Sequence, residues 1–139
     1  VTPGNTERKL RELILAKGGR DRVISARDEE DLLRIAIAEL NLPFSRAEGI
    51  IFAVAENTGI EIESDVDRAA EAMVVSLSAG SGAISQDHFE IIVDYLSDKL
   101  RVPKPIARNR AKELVESKNV VPARSGILQT TLWYRRIGQ

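Results

Sequence analysis

The residues best suited to chemistry lie in the last third of the chain. Lys104, Arg108 and Lys112 recur every fourth residue, so on a helix they form one cationic row opposite Ala107, Ala111 and Leu114. Arg101, Arg110, Arg124, Arg135 and Arg136 flank that row. Guanidinium groups read guanine edges, while lysines position a protein on phosphates, so this pattern suits duplex DNA. A second candidate is the alternating run Glu61-Ile62-Glu63-Ser64-Asp65-Val66-Asp67. Its carboxylates suit a divalent ion or a basic partner, although Asp65 and Asp67 also fit the first turn of a helix, where the dipole favours anions. Glu61, Glu63, Asp67 and Tyr134 are the candidate protein-contact residues. Trp133 and Tyr134 fall on opposite faces if the segment is a strand; Trp133 takes the core side, and Tyr134, beside Arg135 and Arg136, is left to stack on a base or dock a partner.

Composition narrows the chemistry. The 139 residues include no Cys, which removes disulfides, thiol nucleophiles and Cys-zinc sites. The single His, His88, argues against a His-rich metal site or a Ser-His-Asp triad and reads as a surface residue of a first helical turn. Gly18-Gly19 is too short for a phosphate loop and lacks its Lys-Ser/Thr. No nucleophile, base and oxyanion donors fall together, so the chain reads as a non-enzyme without cofactor or metal. At 43% hydrophobic and 29% charged it should fold. The net charge of -1 hides an uneven spread: residues 36–90 carry 2 basic and 10 acidic side chains, whereas residues 91–139 carry 10 basic and 4 acidic. No apolar run suffices to span a bilayer and no signal peptide opens the sequence, so a cytoplasmic address is expected. Val1 to Asn5, without an initiator Met, reads as the start of an excised fragment of a longer protein or as a flexible lead-in.

The elements that must position these residues are mostly helices. Ser25, Ser45 and Ser64 each stand three residues before a carboxylate, as in a capping box, and Ser85 caps a fourth helix with Asp87 in its first turn. Apolar rows follow at helical spacing: Leu10, Leu13 and Ile14; Leu33, Ala36, Ile37 and Leu40; Ala47, Ile50, Ile51 and Val54; Val66, Ala70, Met73 and Val74; Phe89, Ile92, Val93, Leu96 and Leu100. A sixth helix spans Lys104 to Ser117, and Asn119 stops it in a left-handed conformation. Val120-Val121, a turn near Ser125-Gly126 and a strand within Leu128 to Ile137 read as a β-hairpin.

Shifted by 60, the sequence falls on itself without a gap. Ile24-Ser25 meets Ile84-Ser85, Leu40 meets Leu100, Pro43 meets Pro103, Ala47 meets Ala107 and Glu56 meets Glu116; with Glu30 on Glu90 these are seven identities over positions 24 to 60. Gly59 falls on Asn119, two residue types that tolerate positive φ. The expected fold is mainly α with small β elements: two helix-turn-helix units, residues 6–63 and 64–139, each with a short strand (Arg22-Val23-Ile24, Gly82-Ala83-Ile84), the second ending in the hairpin, and the two forming one body.

That order resembles a winged-helix domain, best from Asp65 to Gly138, where Leu114 to Val121 looks like the end of a recognition helix entering the first wing strand and Leu132 to Ile137 like the returning strand. The resemblance implies DNA contact through Lys104, Arg108 and Lys112, with Arg124, Arg135 and Arg136 on the wing. Tandem winged helices also serve as protein-interaction adaptors, which is the second reading. Ser81 to Phe89 is similar to the latter half of an EF-hand loop, but Leu77, Ala79, Ser81 and His88 stand where calcium ligands would be. Helical domains of the tellurite-resistance TerB type also resemble this stretch, without their acidic metal pattern, and imply a stress-response or metal-associated domain as a third reading.

Overall fold

Ser25 and Ser85 set the frame. Each is extended, at φ -67° and -74°, and each hydroxyl accepts the amide N–H three residues on, from Asp28 and His88 respectively, at 3.1 Å. The residues immediately before these caps, Val23–Ile24 and Ala83–Ile84, are strands. The computed structural model describes residues 3–126 and 128–138, with two compact units, Val1–Asp65 and Val66–Gln139. The protein is mainly helical with a few short strands.

The first unit runs α1 (Pro3–Gly18), β1 (Val23–Ile24), α2 (Ala26–Ala38), α3 (Phe44–Thr58) and β2 (Glu61–Ile62). β1 and β2 pair in parallel, Val23 opposite Glu61 and Ile24 opposite Ile62. Leu10, Ile14, Ile24, Leu32, Ala36, Ala47, Ile51 and Ile62 are all buried around this pair. Gly18 lets α1 approach closely, since a Cβ there would stand 2.8 Å from Ile24 and 2.9 Å from Ile60. Arg22 donates to the Thr58 carbonyl, which satisfies an acceptor at the end of α3. Gly59 then turns the chain at φ +71°.

The second unit has the same order: α4 (Glu63–Leu77, whose first residues belong to the first unit), β3 (Ala83–Ile84), α5 (Gln86–Leu100), α6 (Lys104–Ser117) and β4 (Val121–Pro122). Ala83 pairs with Val121 and Ile84 with Pro122, again in parallel, each position 60 residues beyond its counterpart in the first unit. All five apolar residues expected to face inward on α5 are buried, as are Ala107, Ala111 and Leu114 on α6. Asn119 is left-handed at φ +56°, matching Gly59.

Several expectations change. Pro3 to Asn5 lie in α1, not in a lead-in; Val1 and Thr2 lie outside the described residues. Ser45 is inside α3, whose N-cap is Pro43, because the Pro43 carbonyl already accepts from Ala47. Ser64 is likewise inside α4 and donates to Glu29 at 2.9 Å instead of capping its own helix. On α2 the inward row is Leu32 and Ala36; Ile37 is exposed and Leu33 only partly buried.

The largest change is the C-terminal hairpin. The turn stands where expected, with Gly126 at φ +83° and one antiparallel bridge between Ser125 and Thr130. The returning strand is instead a short helix, α7 (Leu132–Arg135). A strand would send Trp133 and Tyr134 to opposite faces. The helical turn brings both rings edge-on to buried Phe89, at centroid distances of 5.4 and 5.9 Å, and to each other at 5.5 Å. Aromatic packing thus overrides the β propensity of Thr130, Thr131, Trp133 and Tyr134.

Candidate functional site

The cationic row of α6 is present, and each of its charges has a partner within its own unit. Lys104 pairs with Asp94 of α5, and Arg108 with Glu90 of α5 at 3.2 Å. Lys112 donates to the Ile137 carbonyl at 3.2 Å and stands 5.0 Å above the Tyr134 ring. Arg110 makes a two-pronged contact with Asp67, Nε to Oδ1 at 2.7 Å, which ties α6 to α4. Glu90 and Asp94, one turn apart on α5, are the sequence signal for this pairing.

Arg124, Arg135 and Arg136 are exposed, with no carboxylate bridging them among the described residues. Arg136 joins Arg108, Asn109, Trp133 and Ile137 around a cleft of about 480 Å³ between α6 and α7. The Trp133 indole N–H is already committed to the Ala123 carbonyl at 2.9 Å, so the ring offers this cleft only its π-face and edges.

Tyr134 is buried, at 6% exposure, and is not available as a surface contact. Its hydroxyl donates toward the Lys112 carbonyl at 3.4 Å and Glu116 at 3.3 Å. Burial raises its pKa well above the ordinary tyrosine value, and the Glu116 carboxylate, by its charge and its hydrogen bond, raises it further.

The acidic run is committed to structure. The Glu63 carboxylate accepts the Ala26 N–H at 2.9 Å, so it caps α2 from across the unit, and Asp67 holds Arg110. Glu61 lies in β2. His88 is exposed in the first turn of α5, as expected.

A surface that emerges more fully from the structure lies on α3. Phe44, Glu48, Phe52 and Glu56 follow one another at four-residue spacing, all exposed, with Phe44 at 54% and Phe52 at 53%. Glu48, Phe52 and Glu56 could be placed outward from the sequence alone; the exposure of Phe44 could not, because Pro43 rather than Ser45 starts the helix. At the end of the row a pocket of about 290 Å³ opens beside β2, lined by Phe52, Ala55, Glu56, Ile60, Glu61 and Asp65. It is apolar within and acidic at its rim.

No described helix is long and apolar enough to cross a membrane. No protein family, curated protein or solved structure gives a significant match to the chain.

Proposed function

We propose that this chain is a non-catalytic protein-interaction module of the cytoplasm, which engages a basic, partly apolar partner through α3 of its first unit. The observation that carries this reading is the row Phe44, Glu48, Phe52, Glu56. Its two phenylalanines stand about 12 Å apart along the axis and remain more than half exposed. Large apolar side chains left in water on one helix face mark interaction surfaces, and aromatic residues supply most of the energy when such surfaces are covered. The alternating carboxylates select cations and exclude acidic partners. A displayed peptide library selected against the chain, with the Phe44→Ala/Phe52→Ala double variant as counter-selection, tests it. Peptides that depend on the two phenylalanines are expected; a selection that yields none sinks the reading.

The cleft between α6 and α7 favours a second reading, nucleic-acid contact. It places the unbridged Arg136, with the Glu90-paired Arg108, beside an indole, and a guanidinium next to an indole suits a phosphate and a stacked base. Arg124 and Arg135 would add to the field. Anisotropy of labelled duplex and single-stranded DNA at rising salt tests this reading. Binding that weakens steeply with salt and is lost in Arg136→Glu supports it, and salt-insensitive or absent binding removes it. Both readings fit two copies of one ancestral unit that diverged in charge, a duplication we infer from the common element order and the offset of 60 residues in strand pairing.

A further inference from the structure

We infer that the pocket beside β2 takes an aromatic side chain carried on a basic segment of a protein partner, the chemistry that the second unit applies to its own Tyr134. The inference rests on the protein-interaction reading and names the partner's chemistry.

The offset of 60 residues carries Phe52 to Lys112, Glu56 to Glu116 and Ile60 to Val120. In the second unit the first two of these positions hold a ring. Tyr134 lies under the Lys112 ammonium, and its hydroxyl reaches the Lys112 carbonyl and the Glu116 carboxylate. The chain makes this possible by running on from β4 through residues 123–131 into α7. In the first unit the residues at that offset, 63–77, form α4 directly after β2 instead of a loop and a short helix, and Phe52 and Glu56 line an open pocket.

The substitutions between the two sites specify the guest. Phe52 replaces the Lys112 ammonium with a ring, so the ring-over-cation contact becomes a ring-on-ring contact. Glu56 keeps the carboxylate that Glu116 offers to the tyrosine hydroxyl. Glu61 and Asp65, both engaged within the protein, make the rim more acidic than that of the second unit, which has Val121 and Ser125 there. An aromatic residue followed by cations, as in Tyr134-Arg135-Arg136, meets all three conditions. The volume of about 290 Å³ suits one side chain and not an extended ligand.

The probe is a fluorescein-labelled peptide with the sequence of residues 131–137, titrated with the full chain and read by polarisation. Saturable binding is expected, weakened about tenfold or more by Phe52→Ala, by Glu56→Lys, or by alanine in place of the peptide's tyrosine. Both protein positions are exposed, so the variants should fold, and circular-dichroism melts check that they do. Absent binding up to millimolar concentration overturns the inference. Binding that ignores Phe52→Ala and Glu56→Lys also overturns it, because the peptide is then exchanging with α7. Self-association of the chain that Phe52→Ala abolishes would make the guest the α7 of a second copy and overturn the assignment to a foreign partner. If the library selection returns Phe52-dependent peptides without the aromatic–basic pattern, the inference fails and the interaction reading stands; if it returns none, both fail.

Discussion

Truncating Tyr134 should separate the two roles of that side chain, ring packing and hydroxyl bonding. The ring is buried and stands edge-on to both Phe89 and Trp133. Each such contact contributes about 0.5–1.5 kcal/mol beyond area burial. Replacing a buried aromatic residue with alanine costs about 3–5 kcal/mol once the residual cavity is included. A unit of the length of Val66–Gln139 carries only about 4–11 kcal/mol of total stability. Tyr134→Ala should therefore remove a large part of it. The hydroxyl contacts, at 3.3 and 3.4 Å, are long, so Tyr134→Phe should cost only about 0.5–1 kcal/mol. The assay is urea unfolding followed by the fluorescence of Trp133, the only tryptophan, with circular dichroism in parallel. At a slope near 1.5 kcal/mol/M the alanine variant should lose roughly 2–3 M in midpoint and the phenylalanine variant under about 0.7 M. Equal losses would show that the hydroxyl dominates. A loss under about 1 kcal/mol for Tyr134→Ala would show that α7 is not held by its rings, and would remove the precedent on which the inferred guest of the first unit is built.

The same hydroxyl sets a pH dependence. Its folded pKa lies above the ordinary value of about 10, so the contribution is whole below pH 10 and is lost as pH rises beyond it, when the unfolded chain gives up its proton first; Tyr134→Phe should fall less steeply in stability between about pH 10 and 12 than the parent. Ser25→Ala and Ser85→Ala should each cost about 1 kcal/mol in thermal melts, and Ser45→Ala, inside α3 and exposed, less than about 0.5 kcal/mol. Gly59→Ala should cost about 1–2 kcal/mol by denaturant titration, because its φ of +71° burdens any Cβ and the added methyl would stand 3.2 Å from the Arg22 guanidinium.

What the sequence reveals of this fold follows from how local each signal is. The Ser25 and Ser85 caps, the two strands before them and the left-handed Asn119 are written in three or four adjacent residues, and all three stand in the structure. Ser45 carries the same local signature and fails, since Pro43 offers an earlier helix start. The hairpin fails for a non-local reason: Phe89, more than forty positions upstream, recruits Trp133 and Tyr134 together. Among the candidate site residues, the row Lys104, Arg108, Lys112 is legible as a row. Its engagement by Asp94, Glu90 and Tyr134 depends on how α5 and α7 pack, which no spacing on α6 encodes.

The two small sheets also differ in what their free edges can accept. In β4 the N–H groups of Val121 and Ala123 point to β3, reaching the carbonyls of Gly82 and Ile84, so the residue between them faces the open side. That residue is Pro122, which has no N–H to give, and a third strand arriving there would find the ladder broken at its first rung. In β2 the corresponding residue is Ile62, which keeps its donor. Extension by an incoming backbone is therefore blocked at the outer edge of β4 and chemically permitted at the matching edge of β2.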